Sequence, residues 1–215
     1  MPFIYRITWH FCRVLFQIYF RWRIFHEERV PRTGPVILAA NHASFLDPPM
    51  VGAAVTRTIN YLARESLFRF PGFGAYLRAL NSVPVDRDGQ GAKGLKMILD
   101  RLMNGGGIIL FPEGTRSRDG QLQSARSGIG LTVIKSEAPV VPVRVFGTYE
   151  AWNRRQLFPR PRRVVIVFGP PSDFAALRTE AKTCGKARLK EIYQEVADEI
   201  MKQIAALPNP IDTRS

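Results

Sequence analysis

A histidine and an aspartate five positions apart are the residues best suited to chemistry in this chain of 215 residues. His42 and Asp47 lie in the segment Asn41–Pro48, directly after the apolar run Val36–Ala40. A turn between them can bring the carboxylate to one imidazole nitrogen and leave the other nitrogen open to a reacting group. We therefore predict that His42 is a general base and Asp47 its orienting acid. A lone histidine is more often a structural residue, so the interpretation depends on a second motif.

The sequence offers this histidine no nucleophilic serine in the turn that serine hydrolases use. Those enzymes present the nucleophile in a Gly-x-Ser-x-Gly turn. The nearest approach, residues 125–129, reads Ala-Arg-Ser-Gly-Ile and lacks both outer glycines. We therefore expect the histidine to activate a hydroxyl group that the substrate brings.

The second motif, Phe111–Arg116, reads Phe-Pro-Glu-Gly-Thr-Arg and follows the apolar run 107–110. Its proline would end the strand, Gly114 permits a tight turn, and Arg116 offers a planar fork for a phosphate group. Glu113 is expected either to bind a substrate hydroxyl or to hold an arginine in place. By itself, a Pro-Glu-Gly sequence is often only a surface turn.

Arg87 is a third candidate, because it follows the predicted strand 82–86 and would reach the same edge of the sheet. The alternative is a surface ion pair with Asp86 or Asp88, which would contribute at most about 1 kcal/mol.

The elements that must position these residues follow an α/β pattern. Short β-branched runs alternate with helical or turn-rich stretches, which predicts a mostly parallel central sheet flanked by helices. Ligands of such folds bind at the carboxyl ends of strands, where both motifs fall. Strands are predicted at 35–40, 58–63, 82–86, 107–111, 140–146 and 163–168, and helices at 48–55, 73–80, 92–103 and 128–136.

The C-terminal segment is predicted to be one amphipathic helix that begins at an N-cap, Ser172, and ends at Pro208. Its apolar positions are Leu189, Ile192, Val196 and Ile200. The chain length fits one catalytic domain. We therefore divide the chain into an N-terminal helix (1–30), a catalytic domain (31–207) and a C-terminal tail (208–215).

The first 25 residues carry a narrow polar stripe on a helix that is otherwise apolar. The stripe consists of Arg6, His10, Arg13, Gln17 and Arg21, at steps of four, three, four and four. Arg13 interrupts any signal-peptide core, and the apolar stretches are too short for an ordinary membrane span. We predict an amphipathic helix in the membrane surface, partly buried on the domain and partly in acyl chains, with its arginines at lipid phosphates. The alternative is a helix packed wholly on the domain or on a dimer partner.

The composition predicts an acidic partner, since Lys and Arg exceed Asp and Glu by 13 charges. Anionic lipid, phosphorylated substrates and nucleic acid all carry such charge. An arginine-rich segment, 154–163, is flanked or interrupted by Trp152 and Phe158, which suits a lipid surface or a phosphorylated ligand as well as a solvated loop. Cys12 and Cys184 are expected to be free thiols, and no metal site is predicted.

Residues 89–94 match the Gly-x-Gly-x-x-Gly pattern of dinucleotide-binding proteins and suggest a nucleotide-dependent oxidoreductase as one alternative. Charged residues crowd the entry to this pattern, and the chain is too short for a second nucleotide-binding half. A non-catalytic basic adaptor for membranes or nucleic acid is the other alternative.

Taken together, the motifs resemble the four blocks of the glycerolipid acyltransferases. The blocks are Asn41-His42 with Asp47, then Arg87, then Phe111–Arg116, then Val140–Val143, and the likeness runs from about residue 31 to residue 170. The chain looks most like the 1-acyl-sn-glycerol-3-phosphate (lysophosphatidic acid) acyltransferases. It departs from the usual pattern at Asn81, Pro84 and Ala125-Arg126, which leaves the acceptor open.

The resemblance implies transfer of a fatty acyl group from acyl-coenzyme A or acyl carrier protein to the hydroxyl of lysophosphatidic acid. It implies His42 as base, Asp47 as its orienter, a substrate-binding set of Arg87, Glu113, Gly114, Thr115 and Arg116, and Pro142 on the acyl-donor side. No metal, no cofactor beyond the thioester co-substrate and no nucleic-acid partner is expected. Another glycerophosphate or lysophospholipid acceptor is the alternative. A peripheral or monotopic protein on the cytoplasmic face of an anionic cell membrane is expected.

Overall fold

The central sheet brings the two motif loops to one edge. The computed structural model describes residues 1–85 and 91–211, with the backbone alone at 91–93. Within these residues the sheet has seven strands in the order β1-β7-β6-β2-β5-β3-β4, and only the β6–β7 pair is antiparallel. The strands are β1 Arg23–Phe25, β2 Val36–Ala40, β3 Ile59–Arg64, β4 Ser82–Val85, β5 Gly107–Leu110, β6 Val140–Phe146 and β7 Val165–Phe168. The predicted α/β fold with a mostly parallel sheet is confirmed.

Helices cover both faces of this sheet. They are α1 Phe3–Phe20, α2 Asp47–Ala54, α3 Pro71–Ala79, α4 Gly91–Met103, α5 Ser127–Ser136, α6 Thr148–Ala151, α7 Ala175–Ala181 and α8 Lys186–Ala206, with 3-10 turns at Glu27–Arg29 and Glu65–Arg69. In β2, Leu38 packs with α1 and α2, whereas Ile37 packs with α5 and α8. All five residues of β2 are buried, as expected for a parallel strand covered on both faces.

The prediction of one C-terminal helix that begins at Ser172 is wrong in its start and in its continuity. Ser172 is not an N-cap: it forms an antiparallel bridge with Val140, and its hydroxyl donates a hydrogen bond to Gln203 Oε1 (3.1 Å). The helix is also divided, because the chain leaves α7 in a turn and Gly185 adopts an extended conformation (φ −72°, ψ 165°) before α8 begins. The buried positions Ile192, Val196 and Ile200 were predicted correctly.

Helix α1 buries one side on the domain and leaves the opposite apolar side exposed. Tyr5, Phe16 and Phe20 are buried against the domain. The exposed apolar arc consists of Phe3, Ile4, Ile7, Phe11, Val14, Leu15 and Ile18. The alternative of a helix packed wholly on the domain is therefore wrong. No helix among the described residues is long and apolar enough to span a bilayer.

One arginine of the polar stripe points inward. Arg13 Nη1 donates a hydrogen bond to the carbonyl oxygen of Ala53 (2.9 Å), and its guanidinium lies over the Trp9 ring at 4.7 Å from the centroid. The expectation that Arg13 reaches lipid phosphates is therefore wrong, because this side chain fastens α1 to α2.

Candidate active site

The predicted catalytic pair is formed in the loop between β2 and α2. His42 Nδ1 lies 2.9 Å from Asp47 Oδ2, and the two residues are 9% and 0% exposed. The same carboxylate oxygen accepts hydrogen bonds from the backbone amides of Ala43 and Ser44, each at 2.7 Å. Asp47 is also the first residue of α2, where the helix dipole favours a negative charge. Because the carboxylate only accepts, Nδ1 carries the hydrogen and Nε2 remains to accept a proton.

The second motif wraps around His42. The ring of Phe111 stacks on the imidazole with centroids 4.0 Å apart and planes inclined by 20°. Glu113 Oε1 accepts a hydrogen bond from the His42 backbone amide (2.8 Å), and the His42 carbonyl accepts one from the amide of Ser117 (2.7 Å). The position of the imidazole is thus fixed by its ring, its amide and its carbonyl.

Asn41 clamps the start of this loop to the neighbouring strand. Its side chain donates to the carbonyl of Val145 (3.0 Å) and accepts from the amide of Val145 (2.7 Å). The β2–β6 pairing ends at Ala40, opposite Val143. The side-chain amide of Asn41 therefore takes the place of the next backbone pair between β2 and β6, which makes Asn41 a structural residue.

Gly114 and Arg116 lie at the turn of the second motif. Gly114 has φ +69°, a conformation that favours glycine, and its amide donates to the carbonyl of Phe111 (2.9 Å). The Arg116 guanidinium lies 3.4 Å above the centre of the Phe45 ring. Thr115 Oγ1 accepts a hydrogen bond from Arg154 Nη2 (2.8 Å). Arg154 thus joins the site from the arginine-rich segment, which the sequence analysis left open as a solvated loop.

Glu113 lies behind the imidazole. It is 3% exposed, and burial raises the pKa of its carboxyl group to about 7, although the His42 amide and the charge of Arg144 lower it. Its carboxylate is occupied by the His42 amide and does not line the cavity described below. Contact between Glu113 and substrate therefore stays a prediction.

A cavity of about 460 Å³ opens beside His42 and Arg116 and runs between α1, β3 and α3. Its walls are largely apolar. They are formed by Tyr5, Thr8, Trp9, Cys12, Phe45, Pro48, Pro49, Ala53, Tyr61, Leu62, Ala63, Arg64, Leu67, Phe73, Leu77, Leu80 and Ser82. The sequence alone predicts no cavity beside α1, because the periodicity of a helix does not show which element it packs against.

Two sequence predictions fall wholly or partly outside the described residues, and a third lies within the sheet. Arg87 lies outside the described residues, as does part of the glycine pattern at 89–94. Pro142 is buried within β6, paired with Ala39 and packed near Gly169, and does not line the cavity. Among the described residues, no group of three or more His, Cys, Asp or Glu side chains could hold a metal ion.

Arg144 was missed by the sequence analysis. It is a charged residue within β6, whose other side chains are apolar. Its Nε and Nη1 are buried, with no hydrogen-bond partner in the described part of the chain. A charge at position 144 inside an otherwise apolar predicted strand was the signal that could have found it.

Known proteins resemble this chain over most of its length. A 1-acyl-sn-glycerol-3-phosphate acyltransferase of Bacillus subtilis (strain 168) is 24% identical over 193 residues, 88% of this chain and 89% of the relative. The enzyme of the same name from Limnanthes douglasii is 26% identical over 182 residues, 81% of this chain and 61% of the relative.

A solved structure shares the fold. The crystal structure of the 1-acyl-sn-glycerophosphate (LPA) acyltransferase PlsC from Thermotoga maritima superposes with a TM-score of 0.73 at 26% identity, covering 95% of this chain and 81% of that one. The sequence model of the family described as Acyltransferase matches residues 21–146, from before β1 to the end of β6. Because that match covers more than half of the chain and contains both motif loops, the protein belongs to the Acyltransferase family.

Proposed function

We propose that this enzyme transfers a fatty acyl group from an acyl thioester to the free hydroxyl of lysophosphatidic acid, giving phosphatidic acid. The observation that carries the proposal is the His42–Asp47 pair, whose histidine lines a largely apolar cavity together with Arg116. The names of the relatives support the choice of acceptor. They also favour acyl transfer over the nucleotide-dependent alternative.

The chemistry needs one base and good alignment. Nε2 of His42 takes the proton of the acceptor hydroxyl while the hydroxyl oxygen attacks the thioester carbonyl carbon. The tetrahedral intermediate then collapses, the carbon–sulfur bond breaks, and the proton passes to the leaving thiolate. Alignment of two bound substrates can contribute about 7–11 kcal/mol, and base catalysis a factor of about 10²–10⁴. Since the thioester is already activated, we expect no covalent acyl-enzyme, metal or further cofactor.

The cavity combines charged and apolar groups, which suit the two parts of a lipid acceptor. Arg116 presents a planar guanidinium that can bind a phosphate oxygen pair, and Arg154, hydrogen-bonded to the Arg116 carbonyl (2.7 Å), adds a second positive charge nearby. The apolar walls favour an acyl chain, and a volume of about 460 Å³ lies within the usual range for ligand pockets. Neither feature distinguishes coenzyme A from acyl carrier protein as the thiol part of the donor.

Two exposed apolar regions support membrane attachment. The exposed arc of α1 faces away from the domain, and Leu157 and Phe158 are 82% and 74% exposed on the arginine-rich segment. The two regions are adjacent, because the hydroxyl of Tyr19 donates to the carbonyl of Pro159 (3.0 Å). We propose a peripheral protein whose apolar side chains enter an anionic leaflet on the cytoplasmic face while neighbouring arginines contact phosphates.

The test of the reaction is an acceptor panel with a labelled acyl donor, followed by mass analysis of the products. The panel contains lysophosphatidic acid, glycerol 3-phosphate and other lysophospholipids, each with acyl-coenzyme A and with acyl carrier protein. We expect phosphatidic acid from lysophosphatidic acid, and no product above background with His42→Ala. Faster transfer to another acceptor would show that lysophosphatidic acid is the wrong acceptor. Near-native turnover by His42→Ala would refute the assignment of His42 as the base.

Membrane attachment is tested separately by sedimentation with phosphatidylcholine vesicles, with and without phosphatidylglycerol. Replacing Leu157 and Phe158 together by alanine should lower binding about 10-fold or more, because each side chain loses its burial in the leaflet. Met103→Ala is the matched control, since Met103 is 78% exposed on α4, away from the arc of α1. Equal binding by both variants would contradict the proposed role of the arginine-rich segment.

A further inference from the structure

Arg144 occupies an unusual position for an arginine. It lies on β6 between two buried valines. One neighbouring strand is β2, which ends where the catalytic loop begins. Its Nε and Nη1 are buried and make no hydrogen bond to the residues that the structure describes. The guanidinium lies over the ring of Phe146, 5.2 Å from the centroid. The residue is only half-buried, but burying these two nitrogen atoms without hydrogen bonds is unfavourable, so the position calls for an electrostatic reason.

The register of the sheet places Arg144 directly beside the loop that carries the base. Ala40 pairs with Val143, and the side chain of Asn41 binds the backbone of Val145. Arg144 therefore lies level with Asn41, the residue before His42. Val143 and Val145 pack on the sheet face that holds α1 and α2, so the side chain of Arg144 points to the opposite face. It does not line the cavity and can act on the reaction only through another residue.

Glu113 is the group through which Arg144 can act. One carboxylate oxygen, Oε1, accepts the hydrogen bond from the His42 amide (2.8 Å). The other, Oε2, is buried and accepts no hydrogen bond from the described residues. Burial raises the pKa of Glu113 and lowers that of Arg144. The electrostatic interaction between the two side chains opposes both shifts: the charge of Arg144 lowers the pKa of Glu113, and the charge of Glu113 raises that of Arg144.

The other groups around Glu113 act in both directions. Asp47 on α2 raises its pKa by repulsion, and backbone amides of His42 and Gln123 lower it. The side chain of Arg126, at the start of α5, lies beside Gly114 in the same turn. Arg144 is a cation whose charge lowers the pKa of the Glu113 carboxyl group, although its effect is smaller than those of burial and of the backbone amides.

We propose that Arg144 is a positioning residue for acyl transfer: its guanidinium stabilises the Glu113 carboxylate as the acceptor of the His42 amide and thereby holds the base in place. The inference rests on the proposed function for its kinetic readout only. Loss of the Arg144 charge leaves a buried carboxylate beside Asp47, which takes up a proton more readily. A neutral carboxylic acid accepts the amide hydrogen bond less strongly, so the imidazole loses one of its restraints.

The experiment compares Arg144→Met, Arg144→Lys, Glu113→Gln and the double variant Arg144→Met/Glu113→Gln. The His42 backbone amide is followed by ¹H–¹⁵N NMR from pH 5 to pH 9, because its chemical shift reports the hydrogen bond to Glu113. In the wild type we expect a titration near pH 7, and in Arg144→Met a midpoint higher by about one pH unit. Arg144→Lys should restore the wild-type midpoint, and Glu113→Gln should remove this step from the titration of the amide. This readout requires no substrate, so it stands even if the proposed acceptor is wrong.

Kinetics separate positioning from a general loss of structure. At pH 7, Arg144→Met should lower kcat about 10-fold with KM changed less than about threefold, because the base and not the substrate site is disturbed. In the Glu113→Gln background the same substitution should change kcat less than about twofold, since no carboxylate remains to stabilise. Arg101→Met, at an exposed position on α4, controls for the lost net charge.

Two results would overturn the inference. One is an unchanged His42 amide titration in Arg144→Met. The other is an equal loss of kcat from Arg144→Met with and without the Glu113 carboxylate, which would show that Arg144 acts independently. Thermal unfolding identifies a variant that fails to fold. In that case Arg144→Lys and Arg144→Gln decide the question, since the first keeps the charge and the second removes it.

Discussion

Replacing Asp47 by asparagine or by alanine separates the charge of this side chain from its hydrogen bonds. Asp47 Oδ2 accepts three hydrogen bonds, from His42 Nδ1 and from the amides of Ala43 and Ser44, and the residue is fully buried. Alanine leaves both buried backbone amides without an acceptor, at about 1–3 kcal/mol each, and also removes the partner of the imidazole. Asparagine keeps an acceptor oxygen in the same place, removes the charge and puts an amide nitrogen at the position of Oδ1, which is buried without a hydrogen-bond partner among the described residues.

We expect Asp47→Ala to lower the free energy of unfolding by about 4–6 kcal/mol and Asp47→Asn by about 1–2 kcal/mol. Turnover should respond differently. Both variants remove the charge that orients the imidazole and stabilises its protonated form, so both should lose most of the contribution of about 10²- to 10⁴-fold that base catalysis makes. The pair of variants therefore predicts a large difference in stability and a small difference in activity.

Stability is measured by urea unfolding in a non-ionic detergent, and turnover by thiol release from the acyl thioester with lysophosphatidic acid. An Asp47→Asn enzyme with turnover within about fivefold of the wild type would refute the role of the carboxylate as orienter. Equal unfolding free energies for the two variants would refute the claim that the three hydrogen bonds hold the catalytic loop.

Three further predictions concern stability. Gly130→Ala on α5 should destabilise the protein by about 3 kcal/mol or more, because the new Cβ would lie 1.8 Å from the Tyr193 carbonyl oxygen of α8. Gly128→Ala is the control and should be neutral or stabilising, since nothing lies within contact distance of its Cβ. Thermal unfolding measures both variants. Arg57→Met should cost about 2 kcal/mol in urea unfolding, because the guanidinium donates hydrogen bonds to carbonyls of two loops at 2.6–3.4 Å. Since burial raises the pKa of Glu113 from 4.5 to about 7, the free energy of unfolding should fall by about 3 kcal/mol as the pH rises between those values. Urea unfolding at pH 4 and at pH 8 measures this fall, which should be absent in Glu113→Gln.

The catalytic pair was predictable because its geometry is local. Five positions separate His42 from Asp47, the segment follows a buried strand, and the proline after the aspartate favours a helix start. The pairing of this loop with the second motif was predictable only in outline. It depends on β2 and β5 being neighbours in the sheet, which places Glu113 behind the imidazole instead of in the substrate cavity.

The remaining differences arise where tertiary contacts decide local structure. The three-residue strand β1 has too few residues to show a periodic pattern, and it forms because β7 offers a parallel partner. Ser172 has a good N-cap side chain, but Val140 takes its backbone hydrogen bonds as a bridge. Helical periodicity places Arg13 in the polar stripe of α1, because it groups residues only by their angle around the helix. It cannot show that the Arg13 guanidinium contacts the Ala53 carbonyl and the Trp9 ring.

The structure stabilises one imidazole by burying two carboxylates beside it, and this arrangement explains why the motifs occur together. Asp47 holds Nδ1 and Glu113 holds the backbone amide of the same residue, so His42 has little freedom except at the nitrogen that faces the cavity. Two buried negative charges repel each other, as the effect of Asp47 on the pKa of Glu113 shows. Backbone amides offset the charge of Asp47, and Arg144 offsets that of Glu113. A base preorganised in this way can act on a lipid hydroxyl without first ordering its own loop, and its precision should decline as soon as either carboxylate loses its compensating partner.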